Sequence, residues 1–254
     1  MLERFLTGAS TYSHSIDHLI FLIAALVGFW LIVAEGFLFW LIFRFRHREG
    51  QPSQYVTGEE KHLKRWITVP HMLVIACDIV IIIGAVQVWF NIKQNIPPAE
   101  QTVRVYAQQW AWSFQDPGPD GLLDTGDDIR TVRELHVKVN TTYHFELTSR
   151  DVVHSFCVPA FRLKQDAVPG RTITGWFRAT RPGTYDIQCT QMCGIGHSVM
   201  AGRVIVETPE QHARWINGAS SSPYAAQASN PASPTHASLD LSTVPGAALA
   251  EVRP

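Results

Sequence analysis

The chain has 254 residues, of which 46% are hydrophobic and 17% charged, and it carries a net charge of −1. The length permits one or two domains, and a charge so close to zero gives no basic surface for nucleic-acid binding. The four cysteines form no Cys-x-x-Cys-His motif, which excludes covalently attached haem.

Two long apolar segments lie in the N-terminal part of the chain, Leu19 to Phe43 and Trp66 to Phe90. Each exceeds the roughly 20 residues that a helix needs to cross the hydrocarbon core of a bilayer. The first segment is too long, and too far from the N-terminus, for a cleaved signal peptide. We therefore predict a two-helix transmembrane hairpin within residues 1–95, with Pro70 in the opening turns of the second helix, where its missing N–H costs least.

The connector between the two apolar segments is basic, whereas the N-terminal flank carries only Arg4. The basic residues of the connector are Arg44, Arg46, Arg48, Lys61, Lys64 and Arg65. By the positive-inside rule the connector faces the cytoplasm, so both termini are expected on the outer side of the membrane. Glu35 and Asp78 are acids at membrane depth, and either a functional role or packing against a larger partner is open for them.

From residue 102 onward, the long apolar segments give way to short runs in which apolar and polar residues alternate. Alternation of period two, interrupted by Gly, Asn and Pro, predicts half-buried antiparallel strands. The runs are residues 103–106, 135–139, 143–147, 172–178, 185–188 and 203–206. This number of strands is sufficient for a Greek-key sandwich or barrel over residues 96–217. The fold class expected for the whole chain is therefore an α+β membrane protein.

Two segments follow the predicted strands. Thr208 followed by Pro209 predicts a short helix with an N-cap threonine. Residues 218–254 are rich in Ala, Ser and Pro and poor in aromatic residues. Such a composition buries too little apolar area to offset the entropy lost on ordering, so it predicts a flexible tail.

The soft metal ligands of the sequence are concentrated between Cys189 and Met200, with Cys193 and His197 between them. Thiolate and thioether groups select copper or zinc over hard cations, and imidazole suits either metal. A short-loop disulfide, two buried thiols or a structural zinc site are the alternatives. A blue-copper centre needs one thiolate, whereas two thiolates can bridge two copper ions.

The pattern Cys-x-Gln-x-Cys-Gly-x-x-His-x-x-Met, preceded by Asp-Val-Val-His-Ser-Phe at residues 151–156, resembles the dinuclear copper (CuA) loop of subunit II of the haem-copper cytochrome c oxidases. The resemblance implies a cupredoxin-like fold in which two cysteines bridge two coppers. One metal would be completed by a histidine and the methionine, and the other by the second histidine and a main-chain carbonyl. The implied ligands are Cys189 and Cys193, then His154 with Met200, and His197 with the carbonyl of Gln191.

The resemblance also assigns residues outside the copper ligands. Family members usually carry Glu at the position of Gln191, and its carboxylate also reaches a magnesium ion, so the substitution argues against a magnesium site here. The first tryptophan of the family's Trp-x-Trp pair lies exposed above the copper and accepts the electron, and Trp110 matches it, while Trp112 is expected in the core. Residues 163–171 match a segment facing the catalytic subunit, where Asp166 and Arg171 would contact water and haem propionates; the alternative is a surface turn with an internal ion pair.

Acidic groups near these residues are candidates for a docking surface. Residues 116–128 form an acidic, turn-rich loop that could be a solvated loop, a calcium site or part of a surface for a basic cytochrome c. Asp151, beside His154, could extend the same surface.

The family resemblance implies subunit II of a bacterial cytochrome c oxidase, in the inner membrane, with the copper domain on the periplasmic side. Electrons would pass from cytochrome c through the copper pair to haem a in subunit I, which reduces oxygen to water and translocates protons. The chain itself would bind no haem. The implied partners are subunit I, other oxidase subunits, cytochrome c, the bilayer and a quinol-oxidising complex in a supercomplex. The alternative is the copper-containing subunit of a nitric oxide reductase; a quinol oxidase subunit or a copper-delivery protein fits the retained ligands and Trp110 less well.

Overall fold

The structure of the protein is a computed structural model that describes residues 8–50, 57 and 59–220. Two long helices are followed by a sandwich of two five-stranded sheets and a C-terminal helix. This order confirms the predicted α+β architecture. The predicted flexible tail lies outside the described residues from 221 onward, and residues 218–220 continue the last helix instead.

The first helix, α1, spans Ser13–Arg44 and the second, α2, spans Lys61–Trp89, with a π-helical turn at Phe90–Gln94 continuing α2. Both are long and apolar enough to cross a membrane, and most of their large apolar side chains are exposed. Outward-facing apolar side chains all round a helix are expected where the surroundings are lipid or another membrane subunit.

The position predicted for Pro70 is wrong, because α2 starts earlier than expected. The basic residues from Lys61 to Arg65 form the first turns of the helix instead of belonging to the connector. Pro70 therefore lies inside α2, where the carbonyl one turn before it lacks the N–H that another residue would provide.

The two helices contact each other through specific small and polar groups. The indole nitrogen of Trp30 donates to Sγ of Cys77 at 3.2 Å. This bond gives the indole N–H a partner within the apolar part of the hairpin, where water would be excluded. Gly84 permits a close approach, since a Cβ at this position would lie 3.2 Å from Cδ1 of Leu19.

The sandwich consists of ten strands in the described part of the chain. They are β1 Gln101–Gln108, β2 Ala111–Asp116, β3 Ile129–Val132, β4 Glu134–Lys138, β5 Thr142–Ser149, β6 His154–Val158, β7 Leu163–Ala167, β8 Ile173–Arg178, β9 Gly183–Cys189 and β10 Ala201–Glu207. One sheet has the order β3-β2-β1-β5-β8 and the other β4-β10-β9-β6-β7. All pairs are antiparallel as predicted except β1 with β5 and β4 with β10, which are parallel.

Aromatic rings fill the space between the two sheets. Phe156 of β6 lies 5.4 Å from Trp112 and 5.9 Å from Phe145, measured between ring centroids, and all three side chains are fully buried. The expected core position of Trp112 is thus confirmed. Because Phe156 anchors β6 in this core, the start of the strand at His154 is held at one end of the sandwich.

The last helix, α3, spans Pro209–Ser220 and begins with the predicted cap. The backbone N–H of Gln211 donates to Oγ1 of Thr208 at 3.3 Å, and Oε1 of Gln211 accepts from the backbone N–H of Thr208 at 3.0 Å. This reciprocal pair satisfies two of the donors that a helix start leaves free.

Candidate metal site

The candidate ligands meet at one end of the sandwich, where β6, β9 and β10 lie side by side. His154 is the first residue of β6, Cys189 is the last of β9, and Met200 directly precedes β10. Phe156 pairs with Cys189 across the sheet, so β6 brings the histidine to the end of β9. The segment from Cys189 to Met200, called here the ligand loop, is closed by the hydrogen bond from the N–H of Cys189 to the carbonyl of Met200 at 3.3 Å.

Four further donor atoms surround the two thiols of the ligand loop. Sγ of Cys189 lies 3.8 Å from Sγ of Cys193. The remaining separations are 3.9 Å from Sγ of Cys189 to Nδ1 of His154, 3.3 Å from it to the carbonyl oxygen of Gln191, 3.6 Å from Sγ of Cys193 to Nδ1 of His197, and 3.8 Å from it to Sδ of Met200. The structure thus brings together all six ligands expected from the sequence.

These separations fit a metal site better than a disulfide. An S–S bond is about 2.05 Å long, and the four cysteines are all free. Metal–thiolate bonds of about 2.3 Å at tetrahedral angles place ligand atoms about 3.8 Å apart. The imidazole of His154 and the two thiols also form a compact group whose ligand atoms lie within 4.8 Å of one another.

The donors are buried, and this burial favours the neutral form of the Cys193 thiol when no cation is bound. His154 is fully buried, and Cys189, Cys193 and Met200 are nearly so. Burial raises the pKa of the Cys193 thiol, and the adjacent Cys189 adds to the rise. Thiolates are the metal-binding form, so bound cations would have to supply the charge that stabilises them here.

Asp151 fixes the orientation of His154. Its Oδ1 lies 2.8 Å from Nε2 of His154, which leaves Nδ1 facing Cys189. The backbone N–H groups of Gln109 and Val152 also donate to this carboxylate, each at 2.7 Å. Partial burial acts to raise the pKa of Asp151, but these hydrogen bonds outweigh it and hold the pKa below its usual value. A carboxylate behind a histidine is a common support for a metal ligand.

Trp110 lies directly on the ligand loop. Its Nε1 donates to the carbonyl oxygen of Cys193 at 3.2 Å, and 38% of the residue remains exposed. Gly194, with φ +117°, and Gly196 pass under the indole so closely that a Cβ at Gly196 would clash with the ring. The exposure and the contact with the loop agree with the position expected for Trp110.

Gln109 was missed in the sequence. Its Nε2 donates to the same carbonyl of Cys193 at 2.8 Å, while its backbone N–H binds Asp151. Gln109 therefore contacts both Asp151, which supports His154, and the backbone of Cys193 in the ligand loop. Its position next to Trp110 was the one signal available, since glutamine has no metal-binding role that would have marked it.

The outer edge of the ligand loop is apolar. Met192, Ile195 and Val199 are 73%, 94% and 68% exposed, and together with Trp110 they form what is called here the apolar rim. Large exposed apolar side chains grouped beside a buried site are typical of a surface that another protein covers.

The two residues expected at a subunit interface differ in their contacts. Asp166 accepts from Oγ of Ser155 at 2.7 Å and pairs with Lys164 at 2.9 Å, so it is tied to the residue after His154. Arg171 is exposed in the turn after β7. The ion pair in this segment therefore joins Asp166 to Lys164 and not to Arg171.

The acidic loop at residues 116–128 folds back on the sandwich. Asp124 pairs with Arg104, and Asp128 accepts from the side chain of Gln115. Asp116 is fully buried, and burial together with the charges of Glu207 and Asp128 raises its pKa well above the usual value. The loop carboxylates are thus used largely in internal contacts.

The chain is similar to known proteins of one family. The family model described as "Cytochrome C oxidase subunit II, periplasmic domain" matches residues 101–208. The chain is 31% identical to "Alternative cytochrome c oxidase subunit 2" of Bradyrhizobium diazoefficiens, with 75% of each chain covered. It is also 31% identical to "Cytochrome c oxidase subunit 2" of Cereibacter sphaeroides, over 91% of this chain and 84% of the relative. A solved structure, the periplasmic domain of subunit II of cytochrome oxidase of Bradyrhizobium japonicum, is 29% identical with a TM-score of 0.44 and covers 49% of this chain and 96% of that one.

Proposed function

Because the chain belongs to the cytochrome c oxidase subunit II family, we propose that it accepts electrons from cytochrome c at a binuclear CuA centre and passes them to haem a in subunit I. Oxygen reduction to water and proton translocation take place in subunit I, so this chain is the electron-transfer subunit of the oxidase. The alternative of a nitric oxide reductase subunit gains no support from the relatives described above, which are oxidase subunits.

The observation that carries the proposal is the ring of donor atoms around two free thiols. Both sulfur atoms have an imidazole nitrogen within 3.9 Å, and each also has a weaker donor, the carbonyl of Gln191 or Sδ of Met200, within 3.8 Å. Two copper ions would be held by His154, Cys189, Gln191, Cys193, His197 and Met200, a donor set of thiolates, imidazoles, a thioether and a carbonyl that suits copper. Bound copper supplies a one-electron redox couple shared over two ions.

The protein's own contribution is a route to the site and a rigid frame around it. Trp110 presents an exposed aromatic face, and its N–H reaches the backbone of Cys193, so an electron arriving at the apolar rim needs to cross few bonds to reach a ligand. Asp151 and Gln109 hold the two halves of the site in place through hydrogen bonds. Ligands held in this way move little when the charge of the centre changes, which keeps the barrier to electron transfer low.

The apolar rim, with Asp151 beside it, is the proposed docking surface for cytochrome c. Asp166, in β7, and Arg171, in the turn after β7, would lie at the interface with subunit I. We place no magnesium ion there, because Gln191 offers an amide where a carboxylate would be needed. A quinol-oxidising complex as a supercomplex partner remains a further proposal.

The hairpin of α1 and α2 would anchor the chain in a bacterial inner membrane. The basic residues at the end of α1 and the start of α2 support a cytoplasmic connector, in which case the sandwich and both termini would lie in the periplasm. The domain bounds of this proposal are 1–95, 96–217 and 218–254.

The test is a copper count and an electron paramagnetic resonance spectrum of the full-length chain purified in detergent with its associated subunits. We expect two coppers in this chain and hyperfine coupling to two equivalent copper nuclei. Cys193→Ser should abolish that pattern, whereas Cys157→Ser, a change of a half-buried thiol outside the site, should leave it intact. Coupling to one copper, or a zinc ion with no copper signal, would overturn the proposal.

A magnesium test uses one further variant. The Gln191→Glu complex should bind Mn²⁺, which can replace magnesium and is visible in the same spectroscopy, whereas the complex with Gln191 should not. Manganese bound equally well by both would contradict the proposed absence of the site.

A further inference from the structure

A groove lies where the two helices meet the sandwich, on the membrane side of the protein and away from the candidate metal site. Its volume is about 250 Å³. It is called here the junction groove, and its walls come from the start of α1, the end of α2 with its π-helical turn, and the strands β7 and β8. Sites that enclose a whole small molecule have volumes of roughly 300–1,000 Å³. The junction groove is smaller, so it fits only part of a longer molecule.

The helical wall of the junction groove is apolar. Ile16 of α1 lines it together with Ala85, Val88 and Ile92 near the end of α2. Both helices are long and apolar enough to cross a membrane, so this wall continues the surface that faces the hydrocarbon of the bilayer. A hydrocarbon chain can therefore follow the helices into the groove without leaving an apolar environment.

The opposite wall and the upper end of the groove are cationic. The charged residues among the described residues that line the groove are all basic: Lys93, Arg162 and Lys164. Arg162 is neutralised by Asp17 at 2.6 Å, and Lys164 by Asp166 at 2.9 Å. Lys93 donates at 2.7 Å to the side-chain oxygen of Gln165, which is uncharged, so its positive charge has no carboxylate partner in the described part of the chain. The groove therefore carries an excess of positive charge.

Two features indicate that the groove lies at the level of the lipid headgroups. Trp89 and Trp176 line it, and tryptophan is enriched at the boundary between hydrocarbon and headgroups. Lys93 is in the π-helical turn that continues α2, where the apolar span ends. A basic pocket at this level, between membrane helices and a polar domain, has the features of sites that bind anionic lipid headgroups.

Hydrogen bonds and a ring contact join the helices to the sandwich across the groove. Nε1 of Trp176 donates to the carbonyl oxygen of Ile92 at 2.8 Å, and the hydroxyl of Tyr12 donates to the carbonyl oxygen of Trp176 at 3.3 Å. The rings of Tyr12 and Trp176 also pack edge to face at 5.1 Å. A ligand would thus bind to a preformed site and avoid the cost of ordering it.

We propose that the junction groove binds an anionic phospholipid of the outer leaflet. Its phosphate is held by Lys93 at the upper end, and one acyl chain lies along Ile16 and Val88. The lipid fills the gap between the hairpin and the sandwich, and so ties the orientation of the copper domain to the membrane surface.

The test uses the oxidase complex that contains the full-length chain, reconstituted into vesicles. The probes are phosphatidylglycerol and phosphatidylcholine, each with a photoactivatable diazirine in one acyl chain, at equal mole fraction. After illumination, mass spectrometry of peptides locates the adducts. Phosphatidylglycerol should label residues 85–96 and the facing segment 174–176 about fivefold more than phosphatidylcholine, which corresponds to about 1 kcal/mol for one basic residue at a headgroup.

Variants of one residue connect the labelling to the proposed charge. Lys93→Gln should abolish the preference for phosphatidylglycerol over phosphatidylcholine, whereas Lys93→Arg should retain it. Lys64→Gln, which removes a lysine at the opposite end of α2, should leave it unchanged. Equal labelling by the two lipids in the unaltered complex would overturn the proposal. So would labelling that appears only after the other subunits are removed, because another subunit would then cover the groove.

Discussion

The indole nitrogen of Trp110 lies 3.2 Å from the carbonyl oxygen of Cys193, so an exposed aromatic ring is hydrogen-bonded to the backbone of a candidate metal ligand. The side chain of Gln109 donates to the same oxygen at 2.8 Å. Two donors on one carbonyl restrict the position of the ligand loop from the side on which a redox partner would dock.

Removing the indole should slow electron transfer into the protein. Trp110→Leu is expected to reduce the rate of reduction by cytochrome c about tenfold or more, the factor that a barrier higher by about 1.4 kcal/mol produces. Stopped-flow absorbance measures that rate, and the copper content should not change. Leu122→Ala, an exposed apolar change in the acidic loop, is the control. If Trp110→Leu is reduced by cytochrome c at the unaltered rate, electrons enter the protein through a residue other than Trp110.

A methyl group at Gly196 should displace Trp110 without touching a ligand side chain. The added Cβ would overlap the indole ring, and overpacking of this kind costs about 1–3 kcal/mol. We expect Gly196→Ala to slow reduction by cytochrome c and to lower thermal stability. Gly218→Ala in α3 meets no atom within 4 Å and should instead stabilise the helix by about 0.5–1 kcal/mol. Identical rates in both variants would contradict the role given to the contact between Gly196 and Trp110.

Loss of the carboxylate behind His154 should weaken copper binding. Asp151→Asn keeps the shape but removes the charge that supports the imidazole, and supports of this kind contribute about 10–100-fold to metal affinity. Copper release to a chelator measures the effect. Asp186→Asn, in β9 but without a contact to a ligand, should bind copper as the unaltered chain does. Unchanged retention in Asp151→Asn would mean that the hydrogen bond does not support the site.

The buried Asp116 should destabilise the sandwich at neutral pH. Its pKa is raised in the folded state, so the unfolded chain releases the proton first as the pH rises. Stability is therefore greatest below the unfolded pKa of about 3.9 and falls above it, by up to about 1.4 kcal/mol per pH unit, until the folded pKa is reached. Asp116→Asn should abolish this slope and raise the melting temperature at pH 7.

Asp124 provides the opposite case for comparison. Its pKa is lowered, chiefly by the hydrogen bond from Arg104, so its contribution to stability is present above its unfolded pKa and is lost as the pH falls through the folded one. Asp124→Asn should therefore lower the melting temperature at pH 7 only slightly, since the side chain of Asp124 is largely exposed. Melting curves of both variants at pH 4 and pH 7 measure the difference, and a fall in stability for Asp116→Asn at pH 7 would count against a burial cost.

The helices and six strands were predictable because their apolar residues follow simple periods. Four strands were not. β6 is buried along nearly its whole length, so it shows no alternation, and the prominence of His154 drew attention to its chemistry. β2 likewise ends in three consecutive buried residues, although its aromatic residues correctly indicated the core. The start of α2 was missed because Lys61 to Arg65 are polar, while helical hydrogen bonding does not require apolar residues.

The six candidate ligands could be inferred because their spacing matches a known family pattern, but their supports could not. Gln109 acts through a carbonyl 84 positions later in the chain, a relationship that follows from sheet packing alone. The pairing of Asp166 with Lys164 and Ser155 depends in the same way on the register between β6 and β7.

The attachment of Ala9 to the sandwich has a consequence for biosynthesis. Ala9 precedes both membrane helices, yet its N–H donates to the carbonyl of Ala160 at 2.7 Å and its carbonyl accepts from Thr180 at 2.9 Å. Those partners are translated after both helices. A residue that leaves the ribosome early is thus among the last to reach its final neighbours, and the start of α1 is joined to the sandwich only after β6 to β8 have folded.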